Sequence, residues 1–126
     1  MRRLALTMFA PFCAAALLPA TAFAHPRLVS ASPAADATVA KPTKLSLTFS
    51  ETLVGPLSGI ELTMTGMPGM AHHKPMPIKG FSSVAEGKTL TASLPRALPA
   101  GTYELKWHAV ATDQHRVAGH YSFTVR

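Results

Sequence analysis

Residues 64–76 read MTGMPGMAHHKPM and carry four thioethers, Met64, Met67, Met70 and Met76, together with two imidazoles, His72 and His73. Thioether sulfur is a soft donor and imidazole a borderline one. Monovalent copper is the first-row ion that accepts several thioethers, whereas hard cations take oxygen. The stretch therefore points to Cu(I). Methionine more often fills gaps in a core, but here every methionine after Met8 falls in this one window. Pro68, Gly69 and Pro75 exclude a helix with a methionine stripe, which leaves the donors on a turn-rich loop.

A second set of donors is spread along the chain and depends on how the chain begins. Arg2 and Arg3, the apolar run 4–18 and the small-residue signal at Ala22 and Ala24 are the three parts of a secretory signal peptide. The run is nearly long enough to be a membrane anchor, but small residues at the junction and the lack of a basic flank after it favour cleavage. His25 is then the first residue, and its α-amine and imidazole can chelate one metal together. Asp113 and His115, in the run TDQH at 112–115, are two apart, so on an extended chain both side chains point the same way. Amine, imidazole and carboxylate in a plane make a set suited to Cu(II). Without the His25 amine, Asp113 and His115 read as ordinary solvated turn residues.

Other polar residues carry less. Glu51 is a candidate carboxylate for orienting a ligand and equally a solvated strand end. His108 and His120 lie on polar strand faces and receive no role. No nucleophile with a local base, phosphate loop or recognisable carboxylate pair is present.

The elements that must position these donors are short strands. Residues 44–50 alternate Leu45, Leu47 and Phe49 with Ser46 and Thr48. Residues 59–65, 89–94, 101–109 and 120–126 alternate in the same way. Residues 27–31 and 78–81 are weaker candidates. Turn signals separate them at Pro33, Pro42, Gly55, Pro56, Gly87 and 98–101, and no amphipathic helix is evident. About seven strands in residues 25–126 predict one all-β domain, an immunoglobulin-like Greek-key β-sandwich.

The single cysteine, Cys13, lies in the signal peptide, so the domain has no disulfide and no thiolate for a metal. Without Arg2 and Arg3, ten Lys and Arg face six Asp and Glu. The surplus is scattered and forms no nucleic-acid-binding or polybasic block.

These residues together resemble the CopC and PcoC family of periplasmic copper-resistance proteins. The likeness rests on HPRLVS at 25–30, LTFSETL at 47–53, MTGMPGM at 64–70, AGTY at 100–103, and Trp107 through Asp113 and His115. It implies a β-sandwich with Cu(II) at one end, held by His25, Asp113 and His115, and Glu51 close by. It implies Cu(I) at the other end, with Met64, Met67, Met70, His72 and Met76 as the ligand pool. The leading expectation is a periplasmic copper carrier, mostly monomeric, in which a Cu(I) loop on one molecule and a Cu(II) site on another could share an ion and link weak dimers. Its partner would be an inner-membrane copper transporter of the CopD type or a periplasmic copper oxidase.

Two departures from the pattern stand out. The loop is one residue longer before Met76, so either His72 or His73 is the loop imidazole, and Gln114 and Arg116 flank His115. A competing reading is a histidine-brace copper monooxygenase acting on polysaccharide. The carboxylate of Asp113 and the lack of an aromatic platform weigh against it. A sandwich used only for adhesion is the plainest alternative.

Overall fold

The computed structural model describes residues 25–70 and 74–126. The signal-peptide reading and the choice between His72 and His73 fall outside these described residues. Nine strands follow in chain order: β1 (Leu28–Ser32), β2 (Thr38–Val39), β3 (Lys44–Phe49), β4 (Gly59–Gly66), β5 (Met76–Pro77), β6 (Ser83–Glu86), β7 (Thr89–Ser93), β8 (Gly101–Val110) and β9 (Arg116–Val125). The only helical element among the described residues is one 3-10 turn, Gly55–Leu57, with Pro56 in its first positions.

The strands form two sheets, one in the order β1-β3-β7-β6 and the other in the order β2-β9-β8-β4-β5. The two pack as the expected immunoglobulin-like sandwich. Neighbours are antiparallel apart from β2, which runs parallel to β9 with Thr38 opposite Thr124. Alternation sets the core. Leu45, Leu47 and Phe49 of β3 and Leu90 and Ala92 of β7 meet Ile60, Leu62 and Met64 of β4, Tyr103, Leu105 and Ala109 of β8, and Phe123 and Val125 of β9. Truncating one of these fully buried leucines to alanine is expected to cost about 2–5 kcal/mol.

Three elements differ from the sequence reading, each for a local reason. Residues 78–81 are not a strand. Pro77 and Gly80, the latter at φ +89°, end the pairing after the Ile78 N–H donates to the Leu62 carbonyl at 2.8 Å. Ile78 and Phe81 turn inward against the core instead, and the chain crosses to the other sheet, where β6 pairs with β7. The last strand begins at Arg116 rather than at residue 120, because the β8 register continues through Trp107–Gly119 to Val110–Arg116. Gly119 is required there: a Cβ on it would lie 2.5 Å from Cζ2 of Trp107. β2 is too short to leave a periodic signal.

β8 connects the two ends of the sandwich. It spans the whole sandwich with ten residues, and at about 3.3 Å per residue its ends are roughly 30 Å apart. Gly101 lies beside the end of β4, which leads into the methionine stretch, and Val110 leads into the turn carrying Asp113 and His115.

Two candidate metal centres at opposite ends of the sandwich

The end that holds His25 is built from three chain segments stitched together. The Arg27 N–H donates to Ser50 Oγ at 2.9 Å and the Ser50 N–H donates to the Arg27 carbonyl at 2.8 Å. Thr112 N–H donates to the Thr52 carbonyl at 3.1 Å, and Leu53 pairs with Ala111 in an isolated bridge. Residues 50–53 thus tie the segment starting at His25 to the β8–β9 turn. Half-buried Glu51 lies between the two attachment points. Ser50 was not singled out from the sequence. Its signal was its place directly after Phe49, the last buried residue of β3.

The turn itself is a tight three-residue hairpin. Gln114 N–H donates to the Ala111 carbonyl at 2.8 Å and Ala111 N–H donates to the His115 carbonyl at 3.0 Å, while Gln114 sits in the left-handed region at φ +71°. This is a type I turn followed by a left-handed residue, a common hairpin geometry. Asp113 and His115 do come together, but through this turn and not through an extended strand. One Asp113 oxygen accepts the His115 backbone N–H at 3.1 Å, and the other lies 2.9 Å from His115 Nδ1. The hydrogen bond from the His115 side chain, reinforced by its backbone N–H, holds the Asp113 carboxyl below the usual carboxylate range.

The His25 ring meets the His115 ring edge-on, with centroids 4.7 Å apart at 61°. Two imidazoles and one carboxylate are therefore neighbours in the folded chain. No group of three His, Cys, Asp or Glu side chains among the described residues is already arranged to hold a metal. A third nitrogen, such as a His25 α-amine, would complete the set. His115 with Nδ1 on a carboxylate is the arrangement by which a ligating imidazole is usually oriented through its other nitrogen. Trp107, three residues before the end of β8, packs edge-on against Phe49 with ring centroids 5.0 Å apart and forms the floor of this end.

At the far end, residues 67–70 form a second tight turn. Met67 and Met70 exchange two backbone hydrogen bonds of 2.9 Å, with Pro68 and Gly69 between them and Gly69 at φ +79°. Proline followed by a glycine at positive φ is the signature of a type II turn. Met67 and Met70 are directly opposed and so project from the same face. Both are exposed, as is Met76 on β5. A cavity of about 370 Å³ lies between this hairpin and the paired ends of β8 and β9, lined by Gly101, Thr102, Thr124 and Val125. Met64 is different: it lies in the hydrophobic core. His108 and His120 stand apart from both ends. The His108 ring leans over Gly59 of β4, and His120 is opposite Lys106 on the outer sheet face.

Residues 28–126 match the family model described as "CopC domain". The chain belongs to the CopC family. It is 47% identical over 107 residues to "Copper resistance protein C" of Escherichia coli, with 84% of this chain and 85% of that protein covered. Among solved structures it is similar to PcoC, described as a methionine-rich copper resistance protein from Escherichia coli. That match has a TM-score of 0.72 and 45% identity, covering 82% of this chain and all of that one. It is also similar to CopC from Methylosinus trichosporium OB3b, at a TM-score of 0.67 and 28% identity, covering 80% and 93%.

Proposed function

We propose that this CopC-family chain is a periplasmic copper carrier in copper homeostasis or resistance, exported by cleavage after Ala24. It takes Cu(II) at His25, His115 and Asp113, and Cu(I) at a methionine cluster. The observation that carries this reading is the pairing of the His25 and His115 rings at one end with three exposed thioethers at the other. Copper is the cargo. The Cu(II) end offers imidazole nitrogen, a carboxylate held below the ordinary aspartate value by its hydrogen bonds to His115, and an α-amine once the leader is removed. The Cu(I) end offers Met67, Met70 and Met76, with His72 or His73 as the imidazole donor. Thioethers carry no proton to displace, so this end keeps its donors as pH falls, and exposure lets a partner replace them one at a time. A CopD-type inner-membrane transporter or a periplasmic copper oxidase suits the role of exchange partner.

The test is an EPR titration with Cu(II) of protein beginning at His25, run beside the same protein extended by one N-terminal residue. A one-equivalent tetragonal spectrum with nitrogen couplings, altered by the extension, supports the site. Identical spectra in both forms remove His25 from it.

A further inference from the structure

The methionine end of the sandwich gathers positive charge without nearby carboxylate side chains among the described residues. Backbone bonds draw several connections to that end. Leu98 N–H donates to the Pro42 carbonyl at 3.0 Å, Leu94 N–H to the Thr43 carbonyl at 2.9 Å, and Arg126 N–H to the Val39 carbonyl at 3.0 Å. These links bring Lys41, Arg96 and Arg126 to one rim. Lys79 joins them directly after Ile78, which is bonded to β4. All four cations are exposed.

The carboxylates lie elsewhere. Glu51 and Asp113 are at the opposite end, and Glu86 is beside the β6–β7 turn. Glu61 and Glu104 flank Lys106 on the outer sheet face, Glu104 at 3.5 Å from its ammonium. Asp36 donates its N–H to the Ser122 carbonyl, partway along β9.

Within the cationic rim runs a groove of about 350 Å³. Ile78, Leu94 and Leu98 give it an apolar floor, Pro77 forms part of its wall, and Lys79 and Arg96 line it as well. Pro77 directly follows the exposed Met76, so the groove begins beside a proposed copper donor. An apolar groove walled by proline needs little reordering to accept an extended segment. Lys79 and Arg96, which make no ion pair among the described residues, steer an anionic partner and set its orientation. The concave shape favours a peptide segment over a flat lipid surface.

We propose that this groove docks the partner that exchanges Cu(I), through an extended acidic segment that places an apolar side chain over Leu94 and Leu98 and carboxylates against Lys79 and Arg96. The proposal rests on the methionine hairpin being the Cu(I) end. It is tested without metal so that the two readings fail separately.

The experiment is a ¹⁵N NMR titration of the metal-free protein, recovered from the periplasm, with a twelve-residue peptide of Glu, Leu and Pro. The same peptide with Lys in place of Glu and vesicles containing phosphatidylglycerol serve as controls. Shifts confined to Lys79, residues 94–98 and Arg126 are expected with the acidic peptide, with affinity falling by about tenfold as added salt shortens the screening length. The double variant K79E/R96E, changed only at exposed positions, is expected to lose the shifts and keep its Cu(I) affinity. Equal binding of the Lys peptide, shifts spread over the opposite end, undiminished binding by K79E/R96E, or binding to vesicles alone would each overturn the proposal. A Cu(I) titration that fails while peptide binding persists would count against the hairpin and not against the groove.

Discussion

Met64 and Met76 are register partners across β4 and β5, yet Met64 is 5% exposed and Met76 is 50% exposed. Opposed residues share a sheet face. The contrast arises because β5 is a two-residue edge strand at the rim of the core. Leucine keeps the volume of methionine and removes the sulfur. M67L/M70L is therefore expected to weaken Cu(I) by about tenfold or more, near 1.4 kcal/mol per decade, and to leave Cu(II) binding unchanged. M64L is expected to leave Cu(I) affinity unchanged and to shift unfolding stability by less than about 1.5 kcal/mol. Competition with a Cu(I) chelator reads both, and unaltered affinity in M67L/M70L would exclude the hairpin.

Asp113 is tied to His115 through both carboxylate oxygens. Its lowered pKa, caused first by the hydrogen bond from the His115 side chain, fixes the sign of its pH dependence. The stabilisation is present above the ordinary aspartate value and is lost as pH falls through the lower folded value. A carbon-detected titration should find the Asp113 midpoint below that ordinary value, and H115A should raise it. D113N keeps an acceptor for the backbone N–H but removes the charge. It is expected to lower Cu(II) affinity by about tenfold or more, because it removes a proposed anionic ligand, at about 1.4 kcal/mol per tenfold. Cu(II) competition is the measurement, and a D113N affinity equal to the parent's would remove the carboxylate from the site.

Much of this architecture was legible because strand alternation is a strong signal where one face is buried. Leu45, Leu47 and Phe49, or Tyr103 and Leu105, announce their strands, and the donor types announce copper. What stayed hidden is set by partners distant in sequence. Nothing near Gly119 says that the ring of Trp107 needs its space, so the start of β9 was misplaced. Met64 reads both as a donor of its window and as a residue of the alternating strand 59–65, and the strand reading decides its surroundings. Only its position in β4, continuing the alternation of Ile60 and Leu62, sends it into the core. The closeness of Asp113 and His115 was anticipated, but the left-handed Gln114 that creates it carries no signal of its own, since glycine or asparagine more often takes that conformation.

The contact between Gly119 and Trp107 gives a direct test of the floor beneath the His25 end. A Cβ on residue 119 meets Cζ2 and Cε2 of the ring at 2.5 and 2.8 Å, and the same ring packs edge-on against Phe49. G119A is expected to destabilise the fold by about 1–3 kcal/mol through overpacking and to change the near-ultraviolet signal of Trp107. Chemical denaturation followed by tryptophan fluorescence checks this. A variant as stable as the parent with an unchanged spectrum would show that the ring moves aside freely.

Two tyrosines predict how the sandwich fails in alkali. Tyr103 donates its hydroxyl to the Pro99 carbonyl at 2.7 Å, bracing the start of β8 against the loop before it, and Tyr121 donates to the Pro33 carbonyl at 2.9 Å, bracing β9 against the chain after β1. Burial pushes each phenol up to about 12, because the charged phenolate is poorly solvated there. The unfolded phenol titrates near 10, so the folded state holds more protons between the two values. The stabilisation is complete below about pH 10 and is lost as pH rises toward about 12. Absorbance at about 295 nm, where phenolate is detected separately from phenol, should rise together with loss of the β-sheet circular dichroism signal. Y121F removes one of the two phenols and should reduce both the absorbance step and the steepness of the alkaline transition. Phenolate appearing near pH 10 with the sheet signal intact would mean that at least one hydroxyl is open to solvent in the fold.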